Sequence, residues 1–235
     1  SNTASGTVAA VAAGYHGIAS GFVSAVSGGN ENEANGNASA VCGGKQNRAV
    51  GDEASVSGGR WNEASGSASS ISGGARNRAT TSWTSVSGGE QNTAGEIPPA
   101  PPGLNALPYP NESGIGASIC GGSKGAATGH VATISGGYVN GSHGDFATIS
   151  GGSFNSVGVL YVNSAGPYSS ISGGKSNKVF GAHSSISGGQ SNQVDGDFSS
   201  IAGGKSNIVT PATATQITHA VVSGGSDNSV RASEA

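Results

Sequence analysis

Residues 54–74 read Ala54-Ser55-Val56-Ser57-Gly58-Gly59-Arg60-Trp61-Asn62-Glu63-Ala64-Ser65-Gly66-Ser67-Ala68-Ser69-Ser70-Ile71-Ser72-Gly73-Gly74. The tetrad Val56-Ser57-Gly58-Gly59 returns 15 residues later as Ile71-Ser72-Gly73-Gly74. Outward from this pair the apolar head recurs at Val26, Val41, Val86, Ile119, Ile134, Ile149, Ile171, Ile186, Ile201 and Val222. Val11 opens a degenerate copy, which makes 13 units. A fixed period of this kind is the signature of a repeat architecture.

Taking the Val/Ile head as phase zero, phase +6 is Asn32, Asn47, Asn62, Asn77, Asn92, Asn140, Asn155, Asn177, Asn192, Asn207 and Asn228. Gly17 and Gly125 fill the same phase in the two remaining units. Asn and Gly tolerate positive φ, so this phase reads as a turn bearing an Asn ladder. Phase +8 is Ala, Val or Ser, and phase +10 is usually Gly. Two short alternating segments separated by two turns leave no room for a helix. The reading is all-β: one solenoid domain over 1–235, two-sided, 13 coils of 15 residues stacked by parallel pairing about 4.8 Å apart. Phases zero, −2 and +8 point inward. Phase −2 is small, so the two sheets approach closely, and its hydroxyls are expected to bond carbonyls of adjacent turns.

That architecture accounts for a composition which otherwise suggests disorder. Glycine numbers 43, hydrophobic residues are 34 % and charged residues 10 %, yet the net charge is only −3. Disorder wants high net charge, and collagen wants Gly at every third residue. No stretch approaches the ~20 apolar residues of a membrane span. Ten Lys and Arg in an acidic chain argue against nucleic acid as a partner. Glycine concentrates at phases +2, +3 and +10, where turns and close approach are expected to require it.

Three intervals exceed the period, with insertions at about 96–113, 159–167 and 210–217. Each follows the +8 segment and precedes the next zero segment, so all three leave one edge. Insertions confined to one edge suit binding loops. Beside that edge, phase −3 carries Trp83, Phe146, Tyr168, His183 and Phe198, a candidate partner edge.

The two outer faces differ. Phases −1 and +1 include Ser55, Ser57, Ser70, Ser72, Ser85, Ser87, Thr133, Ser135, Thr148, Ser150, Ser170, Ser172, Ser185 and Ser187. No charged or bulky side chain interrupts this face. A solvated sheet ordinarily carries Lys, Glu or Arg, so a flat uncharged face is a candidate for self-association. The other sheet has Glu33, Arg48, Glu63 and Arg78 at phase +7, an alternating ladder expected to set register and face water.

Catalytic chemistry is not visible. The two Cys share phase +1 four coils apart, beyond disulfide reach, and no Cys/His pair has zinc spacing. No phosphate loop, nucleophile elbow or carboxylate pair is present. The reading is a non-enzyme without cofactor or metal. Asn37-Ala38-Ser39, Asn111-Glu112-Ser113 and Asn140-Gly141-Ser142 are glycosylation sequons.

Segments such as Asn62-Glu63-Ala64-Ser65-Gly66 and Ser70-Ile71-Ser72-Gly73-Gly74 resemble the repeats of trimeric autotransporter adhesin heads of the YadA-like type. The resemblance implies a left-handed β-roll, extracellular and surface-exposed, homotrimeric and used to attach to a matrix or cell-surface ligand. Coiled-coil stalk heptads and a membrane-anchor domain, both marks of that family, are not found in the sequence. Asn177-Lys178-Val179-Phe180-Gly181 and Asn192-Gln193-Val194-Asp195-Gly196 are similar to plant ice-binding β-rolls. Ice faces favour Thr, however, and here Thr133 and Thr148 stand alone among Ser and Ala. The repeat runs almost from end to end and no Met occurs, which suggests excision from a longer chain or end-to-end stacking. The functional expectation is an extracellular structural or adhesive fibre component that associates with itself.

Overall fold

A β-branched residue between small neighbours puts Val56 and Ile71 on the inner side of an extended segment and their serines on the outer side. In the computed structural model, which describes residues 1–95, 114–158, 166–211 and 219–232, each such segment is a short strand, as in Ser55–Val56 and Ser70–Ile71. A second strand follows at phase +8, as in Glu63–Ala64 and Arg78–Ala79. The chain is all-β, two parallel sheets stacked as a β-solenoid of about 12–13 coils.

The described residues form two compact units, 1–95 with 114–124, and 125–158 with 166–211 and 219–232. In the first, the Val/Ile strands pair in parallel from Ala10–Val11 to Ser118–Ile119, and the Ala strands from Thr3–Ala4 to Thr93–Ala94. In the second, they run from Thr133–Ile134 to Val221–Val222 and from Ala126–Ala127 to Ser229–Ala232. Register survives every long interval. Val86 faces Ile119, Ile149 faces Ile171, and Ile201 faces Val222. Insertion 96–113 and most of the other two lie outside the described residues. Thr210 and Pro211, counted as insertion above, instead extend strand Ile208–Pro211 and pair with Arg231 and Ala232.

Within each unit the ladder runs in two directions. Strand N–H groups donate to the following coil: Ser55 to Ser69 O at 2.9 Å, Glu63 to Asn77 O at 2.9 Å. At both corners one N–H donates backward instead: Trp61 to Lys45 O at 3.0 Å, Ala68 to Asp52 O at 2.8 Å. These corner residues occupy the left-handed region, with φ 55° at Trp61 and 53° at Ala68. The positive φ therefore falls at phases +5 and −3, on whatever residue stands there, and not on the Asn of phase +6. The turn role expected for that Asn is corrected accordingly: Asn32, Asn47, Asn62 and Asn77 are buried and bond the corner from inside.

The core is a thin slab. Val56, Ile71, Ile134 and Ile186 at phase zero and Ala64, Ala79, Val179 and Val194 at phase +8 are almost wholly buried. Buried hydroxyls at phase −2 are satisfied in two ways. In the first unit Ser39 and Ser69 donate to their own corners, Gly36 O and Gly66 O, both at 2.6 Å. In the second, Ser169 and Ser184 donate to the next coil, Gly181 O at 2.8 Å and Gly196 O at 2.9 Å. All these acceptors are carbonyls of adjacent turns, as expected, and Ser169 and Ser184 bond their own corners as well, Pro167 O at 3.2 Å and Ala182 O at 3.0 Å.

Glycine has two distinct reasons to be present. At phase +10 a Cβ on Gly51 would stand 2.2 Å from Gly66 O, so close coil stacking demands Gly. At phase +3, Gly59 has φ +86°. Phase +2 has neither reason: a Cβ on Gly58 would meet nothing within 4 Å. The expectation that structure requires Gly there is corrected.

Candidate functional site

On this frame lie three columns of side chains, two facing outward and one buried at the corner, and a trough. The first is the Val/Ile sheet face. In the first unit Ser55, Ser70 and Ser85 pair with one another in line and are half-buried, while Ser57, Ser72 and Ser87 are exposed beside them. In the second unit Thr133 pairs with Thr148, and Ser170 with Ser185. There Ser135, Ser150, Ser172 and Ser187 are exposed. Cys42 and Cys120 are exposed free thiols in the same phase as these serines.

The second column is the Asn ladder. Asn62 Nδ2 donates to Gly58 O at 3.0 Å in its own coil and to Gly74 O at 3.1 Å in the next. Its Oδ1 accepts the Asn77 N–H at 3.0 Å. Asn47, Asn92, Asn155, Asn177, Asn192 and Asn207 repeat the two carbonyl bonds, and so do Asn32 and Asn140. Asn228 joins at the final described coil through Asn207 Oδ1. With its amide spent and buried, Asn140 is closed to glycosylation in the folded chain, whereas Asn37 is exposed. Asn111 lies outside the described residues.

The third column is aromatic and lies in the second unit. Phe146, Tyr168, His183, Phe198 and His219 stack face to face, with centroids 4.9, 4.9, 5.0 and 5.3 Å apart and planes within 12°. His130 meets Phe146 edge-on at 5.4 Å. Four of these rings sit on left-handed backbone, φ 54–56°. Their faces are covered by one another, so edges rather than faces meet solvent. Trp83 belongs to the first unit, where it is 68 % exposed.

The fourth feature is a trough in the first unit that sequence reading missed. It measures about 510 Å³ and runs between the phase +5 and phase +7 columns. One wall holds Glu31, Gln46 and Trp61, the other Ile18, Glu33 and Arg48. Trp61 Nε1 donates to Gln46 Oε1, and Gln46 Nε2 donates to Glu31 Oε2 at 2.6 Å. The guanidinium of Arg76 stacks 4.8 Å from the indole centroid. Opposite, Arg48 bridges Glu33 at 3.2 Å and Glu63 at 3.3 Å. The signal available in the sequence was a shared phase, but the two walls belong to different phases.

Among the described residues, no group of three His, Cys, Asp or Glu could hold a metal, and no helix is long and apolar enough to cross a membrane. Among the described residues, one titratable group is strongly perturbed. Burial pushes the His143 imidazole down to about 4, and its Nδ1 lies 2.7 Å from Thr128 Oγ1. Comparison with protein-family models and with curated proteins finds no match to this chain.

Proposed function

We propose that this chain is a structural and adhesive component of an extracellular surface fibre, assembling with copies of itself through the Ser/Ala/Thr face of its Val/Ile sheet. One observation carries the reading. Charge sits on the Ala/Val sheet, where Arg48 bridges Glu33 and Glu63, while the phase −1 and +1 columns carry none. Small half-buried and exposed side chains in strict register make a surface another flat sheet can approach closely. The likeness of the repeat to YadA-like adhesin heads supports attachment as the role, with a homotrimer as one form the assembly can take.

The test is the state of assembly. Mass photometry and electron microscopy at micromolar concentration should find trimers or filaments. The double variant Ser57→Arg, Ser72→Arg, which places two charges on the face, should leave monomers with an unchanged circular dichroism spectrum. A monomeric parent chain without filaments would sink the proposal, as would undiminished assembly of the double variant. Thermal hysteresis by that monomer would point to ice binding instead.

A further inference from the structure

We propose that the trough of the first unit is a binding groove for an uncharged oligosaccharide, laid along the coils. The inference is independent of self-association, because it uses the opposite sheet.

Both walls are held in place before any ligand arrives. The indole of Trp61 is tied to Gln46, Gln46 to Glu31, and the ring is braced by the Arg76 guanidinium. Arg48 is fixed between two carboxylates. Little side-chain entropy remains to be lost on binding.

The main chain excludes a peptide added as an extra strand. The N–H groups of Glu31, Gln46 and Trp61 donate backward to Tyr15, Asn30 and Lys45 carbonyls. Those of Ile18, Glu33 and Arg48 donate forward to Asn32, Asn47 and Asn62 carbonyls. β-Augmentation needs an unpaired row of such groups, so a ligand here is read by side chains alone.

Charge then narrows the class. Arg48, the guanidinium lining the trough, is already matched by Glu33 and Glu63, and Glu31 adds a further carboxylate. Ser1 and His16 also line the trough, and the Arg60 and Arg76 guanidiniums lie 5.4 and 4.8 Å from the Trp61 ring. The groove is therefore of mixed sign and offers a sulfated, phosphorylated or sialylated ligand no net charge to favour it. What the walls offer is mixed. Carboxylate oxygens of Glu31 and Glu33 accept, the second Gln46 amide hydrogen and the remaining Arg48 hydrogens donate, and Thr3 can do both. Trp61, 40 % exposed, adds an apolar surface. Hydroxyls that donate and accept, on rings with apolar C–H faces, are the matching chemistry. The rungs repeat at about 4.8 Å, a spacing comparable to one sugar ring in an extended chain.

The full chain should be probed on an array of gluco-, xylo-, manno- and chito-oligosaccharides, beside sulfated and sialylated glycans and Lys/Arg-rich peptides. Titration calorimetry with the best-retained tetrasaccharide follows. At least one neutral class should bind, and Trp61→Ala should weaken it tenfold or more. Glu31→Ala, at an exposed position, serves as the second probe should Trp61→Ala fail to fold. Phe198→Ala and the Ser57→Arg, Ser72→Arg pair should bind like the parent, which separates this groove from assembly. No retention of any neutral glycan overturns the proposal. So does retention confined to acidic glycans or basic peptides, or equal binding by Trp61→Ala and Glu31→Ala.

Discussion

The backbone N–H of Asn77 donates to Oδ1 of Asn62 at 3.0 Å, so a side chain in one coil continues the main-chain ladder into the next. Asn62→Ala deletes that acceptor and the two donors facing Gly58 O and Gly74 O. The Asn77 N–H is then buried without a partner. Each lost bond costs about 1 kcal/mol, and a stranded buried group 1–3 kcal/mol. Urea unfolding should show a loss of about 3–4 kcal/mol. Trp61→Ala, at the exposed neighbouring position, should lose far less.

Two glycines separated by seven positions should respond oppositely to the same methyl group. In Gly51→Ala the new Cβ would stand 2.2 Å from Gly66 O, which forces adjacent coils apart. A loss of several kcal/mol follows from overpacking with no flexible neighbour to yield. In Gly58→Ala the methyl meets nothing within 4 Å, and φ is outside the left-handed region. That change should be neutral or add about 0.5 kcal/mol by restricting the unfolded chain. Thermal melts of the two variants read the contrast directly.

His143 gives stability a pH dependence of known sign. Its folded value is lowered by burial from 6.5 to about 4. At pH 7 the ring is neutral in both states. As pH falls from 6.5 toward 4, the unfolded chain takes up a proton that the folded chain refuses, so stability declines through that window. Below about 4 both states are protonated and the loss is complete, on the order of 3 kcal/mol. The melting temperature of His143→Gln should fall less than that of the parent between pH 7 and pH 4.5. Parallel curves would mean that His143 does not titrate in this way.

The Glu33–Arg48–Glu63 bridge should matter little to stability. Its groups are a third to a half exposed, and such pairs contribute about 0–1 kcal/mol. Arg48→Ala should therefore cost no more than about 1 kcal/mol by urea unfolding, and added salt should shrink even that.

The period, the two sheets and the inward phases were legible because burial permits few residue types: Val56 and Ile71 inside, Ala64 and Ala79 opposite. The corners were not legible. Glu31, Trp61 and Arg76 all adopt φ of 53–55°, although none favours it. There the backward hydrogen bond imposes the backbone while the side chain points to solvent, so sequence varies and geometry does not. Asn62 was visible as a repeat, but turn propensity was the wrong cause. Its side chain is retained because a buried amide can donate to two carbonyls and accept one N–H. The trough escaped notice because its walls, Gln46 and Arg48, become neighbours only across a buried Asn47.

The stacked column of the second unit can be tested at its centre. His183 lies between Tyr168 and Phe198, 4.9 and 5.0 Å from each, with planes 4° apart on both sides. Removing the ring in His183→Ala breaks two stacking contacts, each about 0.5–1.5 kcal/mol, and leaves the left-handed φ of 54° on a residue that still disfavours it. His183→Gly breaks the same contacts but relieves that conformation, offset by its greater entropy loss. His183→Ala should lose about 1–3 kcal/mol; His183→Gly should be no worse, and His183→Phe, which preserves both contacts, should remain near the parent. Near-ultraviolet circular dichroism should register loss of the Tyr168 environment in the Ala and Gly variants. If all three variants melt together, stacking contributes nothing and the column is held by its backbone alone.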